Sequence, residues 1–222
     1  MSEASNGSLN VGGWRSQLIP QQATTQIDAF TFAVRQILNR AHTATLVKVL
    51  SCTNAGDVSP VGRVDVQPLV DQLDGALNAV AHAPIYDVPY QRIQGGTNAV
   101  IIDPQPGDIG IAVFADRDIS TVKASGSRGA PASARSMDMA DALFLPGALN
   151  AAPAQYVRLY GGGVEIVSPV KIRLAAPEIE IAADASLSIT APGGDVVVQT
   201  ISLVNHVHGG VTSGGSTTDV PQ

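Results

Sequence analysis

Charge is scarce in this chain. Of its 222 residues only 14% are charged, against roughly 25% in ordinary globular proteins. Lys and Arg together number 13 and are scattered, and the net charge is −6. A groove that neutralises phosphates needs clustered cations, so nucleic acid is excluded as a partner. A polybasic patch for an anionic membrane surface is lacking for the same reason. Aromatic residues make up only 4%, too few for the ring clusters on which sugars stack. The single cysteine, Cys52, rules out an intrachain disulfide and a Cys-based zinc site; it reads as a small buried hydrophobe. No uninterrupted apolar run approaches the roughly 20 residues a membrane helix needs. The opening MSEASNGSLNVGGWRSQ shows no basic-then-apolar signal pattern. The expectation is synthesis in a cytoplasm, with any membrane reached from outside.

What is present is apolar and heavily punctuated. Apolar residues are 45% of the chain, alongside 22 Gly and 14 Pro. That is too apolar for disorder and fits many short β segments. Few charges suffice when much of the surface is hidden against other copies.

Residues 1–22 read as a Gly/Ser/Asn/Gln-rich arm. Over 24–40, Ile27, Phe30, Val34, Ile37 and Leu38 recur at three- and four-residue steps. That predicts one amphipathic helix, with Thr24 or Thr25 as N-cap. From His42 the period becomes two. TATLVKVLSC and VGRVDVQPLV alternate as half-buried strands, separated by the turn-rich NAGDVSPVG. QLDGALNAVAHAP reads as a loop or short helical connection. IYDVPYQRIQ, AVIIDP and DIGIAVFAD complete five strand candidates, which suit a small closed barrel of the OB kind. ASGSRGAPASARS (124–136) reads as a flexible linker. MDMADALFLPG (137–147) is either a short helical turn or an extended segment.

A repeat occupies 157–204. Apolar pairs Val164/Ile166, Ile172/Leu174, Ile179/Ile181, Leu187/Ile189 and Val196/Val198 start 8, 7, 8 and 9 residues apart. Pro or Gly turns fall between most of them. Glu165, Lys171, Arg173, Glu178 and Glu180 take outward positions. Eight residues are too few to circle a core, since single-chain solenoid coils need about 20 or more. A lone meandering ribbon would also leave unpaired edges. Three identical copies coiled about one axis answer both problems: apolar pairs meet on the axis, and each chain supplies one side of a triangular prism.

After the last strand comes NHVHGGVTSGGSTTDVPQ (205–222). On a strand, His206 and His208 point to the same side. Facing a threefold axis, they gather six imidazoles, a donor set suited to octahedral Fe²⁺, Co²⁺ or Ni²⁺ rather than to four-coordinate zinc. The alternative is a pair of solvent-exposed histidines in a tail. His42 and His82 lack such context. Gly209 and Gly210 let the chain turn back sharply. GxSxG, HExxH and P-loop patterns are missing, and GGTNAV and LYGGGVEI read as turns. Asp103, Asp108, Asp116 and Asp118 flank strands; turn capping is weighed against a glycoside-hydrolase carboxylate pair.

The order of helix, OB-like barrel, short-repeat prism and HxHGG resembles the membrane-puncturing central spike family at the baseplate tip of contractile phage tails. The resemblance is carried by YDVPYQRIQGG (86–96), PQPGDIGIAVFADRDI (104–119), DALFLPG (141–147) and NHVHGG (205–210). It implies a mainly β homotrimer with an arm and helix over 1–41 and an OB-fold barrel over 42–123. A linker (124–154), a triple-stranded β-helix (155–204) and an apex (205–222) follow. It further implies one iron ion (Fe²⁺) per trimer, held on the threefold axis by His206 and His208, with no catalytic residues. The partners implied are baseplate hub and tail tube proteins at the barrel end, with the host outer membrane as target and the virion as location. Spike tips of tail-type bacteriocins and of type VI secretion are similar. A trimeric saccharide-binding module is the rival reading.

Overall fold

The structure, a computed structural model, describes residues 26–74, 76, 78–199, 201–202 and 214. The chain divides into two units, Met1–Pro153 and Ala154–Gln222.

In the first unit, helix α1 (Gln26–Leu38) matches the expected helical period. Asp28 in its first turn and Arg35 in its last complement the helix dipole. The strands follow as β1 (Ala44–Cys52), β2 (Arg63–Pro68), β3 (Gln72–Leu73), β4 (Ala79–Val80), β5 (Ile85–Pro89), β6 (Ile93–Gly95), β7 (Asn98–Val100), β8 (Ile109–Phe114) and β9 (Ala142–Pro146), with the short helix α2 (Ser120–Ser125) before β9.

Five strands form one antiparallel sheet in the order β5-β2-β1-β8-β9. Irregularities between Val49 and Ser51 and between Val64 and Val66 interrupt its register. Such bulges bend a strand and increase its twist. The sheet curls far enough that Tyr90, just past β5, bridges Phe144 of β9 in parallel, and the Gln91 amide donates to the Phe144 carbonyl at 2.9 Å. The result is a mainly β half-barrel. Alternate residues turn inward: Val47 and Val49, Val64 and Val66, Ala112 and Phe114, Ala142 and Phe144. Phe144, with no exposed surface, is among the largest fully buried side chains. Gly110 lies against it, and a Cβ there would collide with the Phe144 ring and the Leu145 carbonyl.

Three expectations need correction. AVIIDP does not supply the fifth strand. Its start forms β7, paired only with β6 across the Gly96 turn, where φ is 57°. The run then leaves the ladder because Asp103 and Pro104 are buried in the body and proline has no amide to donate. The fifth strand is β9, from the stretch expected to be a linker. There Asp138 caps a single 3₁₀ turn (Met139–Asp141) by accepting from the Ala140 amide, and the chain extends directly into β9. Both readings of MDMADALFLPG therefore hold, in succession. Thirdly, QLDGALNAVAHAP contains a minimal hairpin, β3 with β4. The Asp74 carboxylate turns it by accepting from the Ala76 and Asn78 amides, each at 2.8 Å.

The second unit begins with a hairpin, β10 (Tyr156–Tyr160) with β11 (Gly163–Val167). Gly163, at φ 126°, follows the two-glycine turn. A two-residue pair, β12 (Val197–Val198) with β13 (Ile201–Ser202), lies near its other end.

Candidate functional site: an unpaired apolar ribbon

The hairpin β10–β11 has one apolar face. Val157 lies opposite Ile166, and Leu159 opposite Val164. The other face is polar: Arg158 and Glu165 form an ion pair at 2.6 Å, and the Arg158 guanidinium sits 4.2 Å from the Tyr160 ring centre. This stabilises the first repeat locally, by the modest amount expected of exposed pairs.

Between this hairpin and the short β12–β13 pair the described chain forms no ladder. From 169 to 190 no residue belongs to a helix or strand, and from 169 to 194 every residue is exposed. Three of the five expected apolar pairs fall in this stretch, while Val164/Ile166 lies in β11 and Val198 in β12. Ile172, Leu174, Ile179, Ile181, Leu187 and Ile189 are 51–69% exposed. The local bonds of this stretch are turns: Ser168 Oγ accepts from the Val170 and Lys171 amides, and the Gly194 amide donates to the Ala191 carbonyl. Each non-proline residue of this exposed stretch carries one backbone donor and one acceptor, open to water or to another strand. A segment with an alternating apolar side can bury that side by pairing with other strands.

His206 and His208 lie outside the described residues. Among the described residues there is no group of three or more His, Cys, Asp or Glu able to hold a metal ion, and no helix is long and apolar enough to cross a membrane. His42 and His82 meet edge to face, with His42 also against Phe114. Cys52 is half-buried against the core.

The four aspartates weighed as a hydrolytic set serve different parts of the first unit. Asp103 is buried. It accepts from Tyr90 Oη at 2.5 Å, Arg92 Nη2 at 2.7 Å and the Gly56 amide at 2.9 Å. Burial alone would raise its pKa, but the Tyr90 and Arg92 hydrogen bonds outweigh this and hold it below the ordinary value. Arg92 also donates to the Ser59 carbonyl at 2.6 Å. The cluster therefore ties the 54–62 loop to the end of β5. Beside it opens a cavity of about 290 Å³, lined by Arg92, Asp103 and Asp108 among Ile93, Val100 and Ile102. Asp108 accepts from the Gln105 amide and closes the PQPGD turn. Asp116 is exposed, and its carbonyl accepts from Ser136 Oγ.

Asp118 belongs to a second cluster. The Ser120 and Ser133 hydroxyls, the Ser120 amide and nearby Arg135 hold its carboxyl far below the ordinary range. Arg135 bridges it, at 3.0 Å, to buried Asp141, at 3.1 Å. Ser133, Arg135 and Ser136 come from the stretch expected to be a free linker, so that stretch is pinned to the body. Sequence reasoning missed Arg92 and Arg135. The nearest signal was a cation among small residues at ASARS, beside an Asp-rich stretch.

Residues 57–147 match the family described as Phage protein Gp138 N-terminal domain, and residues 201–222 match the GpV Apex motif. The first match ends at Gly147, one residue past β9. No curated protein matches the chain. Both matched families are features of phage baseplate central spikes, and together they support a phage central spike protein, as the resemblance in the sequence implies.

Proposed function

We propose that three copies of this chain form the central spike at the tip of a contractile tail baseplate, which pierces the host outer membrane when the sheath contracts. The observation that carries this reading is the ribbon at 169–194: alternating in its apolar residues, exposed throughout, and outside any helix or strand. Threefold intertwining supplies the missing strand partners and buries the apolar pairs on the axis. A prism hydrogen-bonded between chains along its length, with a dry core, is narrow and stiff. Those are the properties a piercing device needs.

The half-barrel supports an OB-fold reading of residues 42–153. Its sheet order, closed by the Tyr90–Phe144 bridge, gives the cyclic strand order 1-2-3-5-4 for the five principal strands in chain order. This part joins baseplate hub and tail tube proteins. At the other end, His206 and His208 of three chains supply six imidazole nitrogens, a set that fits one octahedral iron ion. The ion would tie together three chain ends that otherwise fray.

Immunogold labelling of the tails that carry this protein, with antibodies raised against 157–196, tests the assignment. Label is expected at the distal tip of extended tails, and inside outer-membrane vesicles after contraction. Label along the tube or on fibres would overturn it.

A further inference from the structure

Residues facing away from the core alternate with core residues along each strand. On β2 these outward positions are Arg63, Asp65 and Gln67, the polar pattern normal for a sheet with one wet face. On the remaining strands of the same outward face the rule fails. The outward positions are Leu46 on β1, Ile109, Ile111 and Val113 on β8, and Leu143 and Leu145 on β9. Register merges them: Leu46 lies opposite Ile111, Ile111 opposite Leu145, and Val113 opposite Leu143. One apolar patch therefore spans three strands, with Ile111 38% and Leu143 43% exposed. Lys48, opposite Ile109, marks its border towards β2.

We propose that this outer face of β1, β8 and β9 seats the first unit of a second copy of the chain. The two central rows offer no charged group and no side-chain hydrogen-bond donor, so a fitting partner must itself be apolar. A second copy qualifies, since α1 has no buried residue and leaves Ile27, Phe30 and Ile37 exposed. The inference rests on the three-chain reading of the ribbon. There, each first unit is tethered through its own Pro153 to the same assembly, so the local concentration of its neighbours is high. The patch then faces a neighbour, and the polar face of β2 and β5 stays in water. Contiguous apolar patches of this kind mark protein interfaces.

The test places the photocrosslinking residue p-benzoylphenylalanine at position 111 of the full chain, with position 143 as a second site and position 65 as the polar-face control. Irradiation at 111 or 143 is expected to give covalent two-chain products on a denaturing gel, and position 65 none. Cross-links to α1 or to the sheet of the other copy both support the proposal. If the protein has a three-chain mass but 111 and 143 give only one-chain products, the face assignment is overturned while the three-chain reading stands. A one-chain mass overturns both.

Discussion

The two units of this chain use the same β alternation to opposite ends. In the first, Val47, Val66 and Phe144 are wholly buried, and every strand of the five-stranded sheet finds its neighbours within the chain. In the second, Ile172, Leu174, Ile179 and Ile181 alternate as regularly, yet all are exposed, and no strand forms between Val167 and Val197. The difference lies in contact distance. A sheet of five strands can curl back on itself, whereas eight residues between turns are too few to circle a core. The first unit is a fold one chain specifies; on the proposed reading, the ribbon takes its strand partners from other chains.

Breaking the comparison is simplest at Ile181. An exposed residue of a lone chain tolerates Ile181→Asp with a change within about 0.5 kcal/mol. On a shared axis the same substitution gathers three carboxylates in an apolar core. The account predicts loss of assembly, seen as a fall in sedimentation coefficient with the first unit still folded. An unchanged coefficient would count against it.

In the first unit the largest effect is expected at Phe144. Phe144→Ala removes a fully buried ring and should cost about 3–5 kcal/mol, read from the denaturant midpoint of the first unit's transition. The polar clusters come next. Arg92→Ala leaves Asp103 buried without its cation, and stranding one member of a buried pair is strongly destabilising. The pair of half-buried Arg63 with exposed Asp87 is the control: Arg63→Ala should lower the melting temperature far less than Arg92→Ala, and equal losses would refute the distinction.

Acid sharpens the same point. Asp103 and Asp118 are held below the ordinary carboxylate value in the folded chain. An unfolded aspartate titrates near about 3.9. Their stabilisation is therefore fully present above that value and is lost as pH falls through the depressed folded values. The first unit's melting temperature should hold from neutral pH to about 5 and drop below about 4. Asp103→Asn should shrink the acid-dependent part of that drop, and an unchanged acid profile would contradict the assignment.

The smallest stability effect is expected at the apex. His206→Ala with His208→Ala should abolish bound metal, measured by elemental analysis, while leaving the first unit's melting temperature unchanged. Equal metal in both proteins would exclude these histidines as ligands.

The elements legible in the sequence were those set by local pattern. The 3.6-residue period of α1 and the alternation of β1, β2 and β8 carry their own signal. The eight-residue spacing of the ribbon is equally local. What failed was non-local. AVIIDP is more apolar than DALFLPG, but whether it joins the sheet depends on burying Asp103 beneath Arg92, a pairing eleven residues away that no periodicity marks. β9 is five residues long and alternates for only two inward positions, so pattern alone could not choose between a turn and a strand. Arg135 sits in a Ser/Ala-rich stretch whose composition reads as flexible, and its role follows only from where Asp118 and Asp141 lie in the fold.

The central claim is that this chain is one third of a solid object. The mass of the purified full-length protein in solution, by light scattering on a size-exclusion column, tests it most directly. The account predicts three times the 22.8 kDa of one chain; a single-chain mass would contradict it.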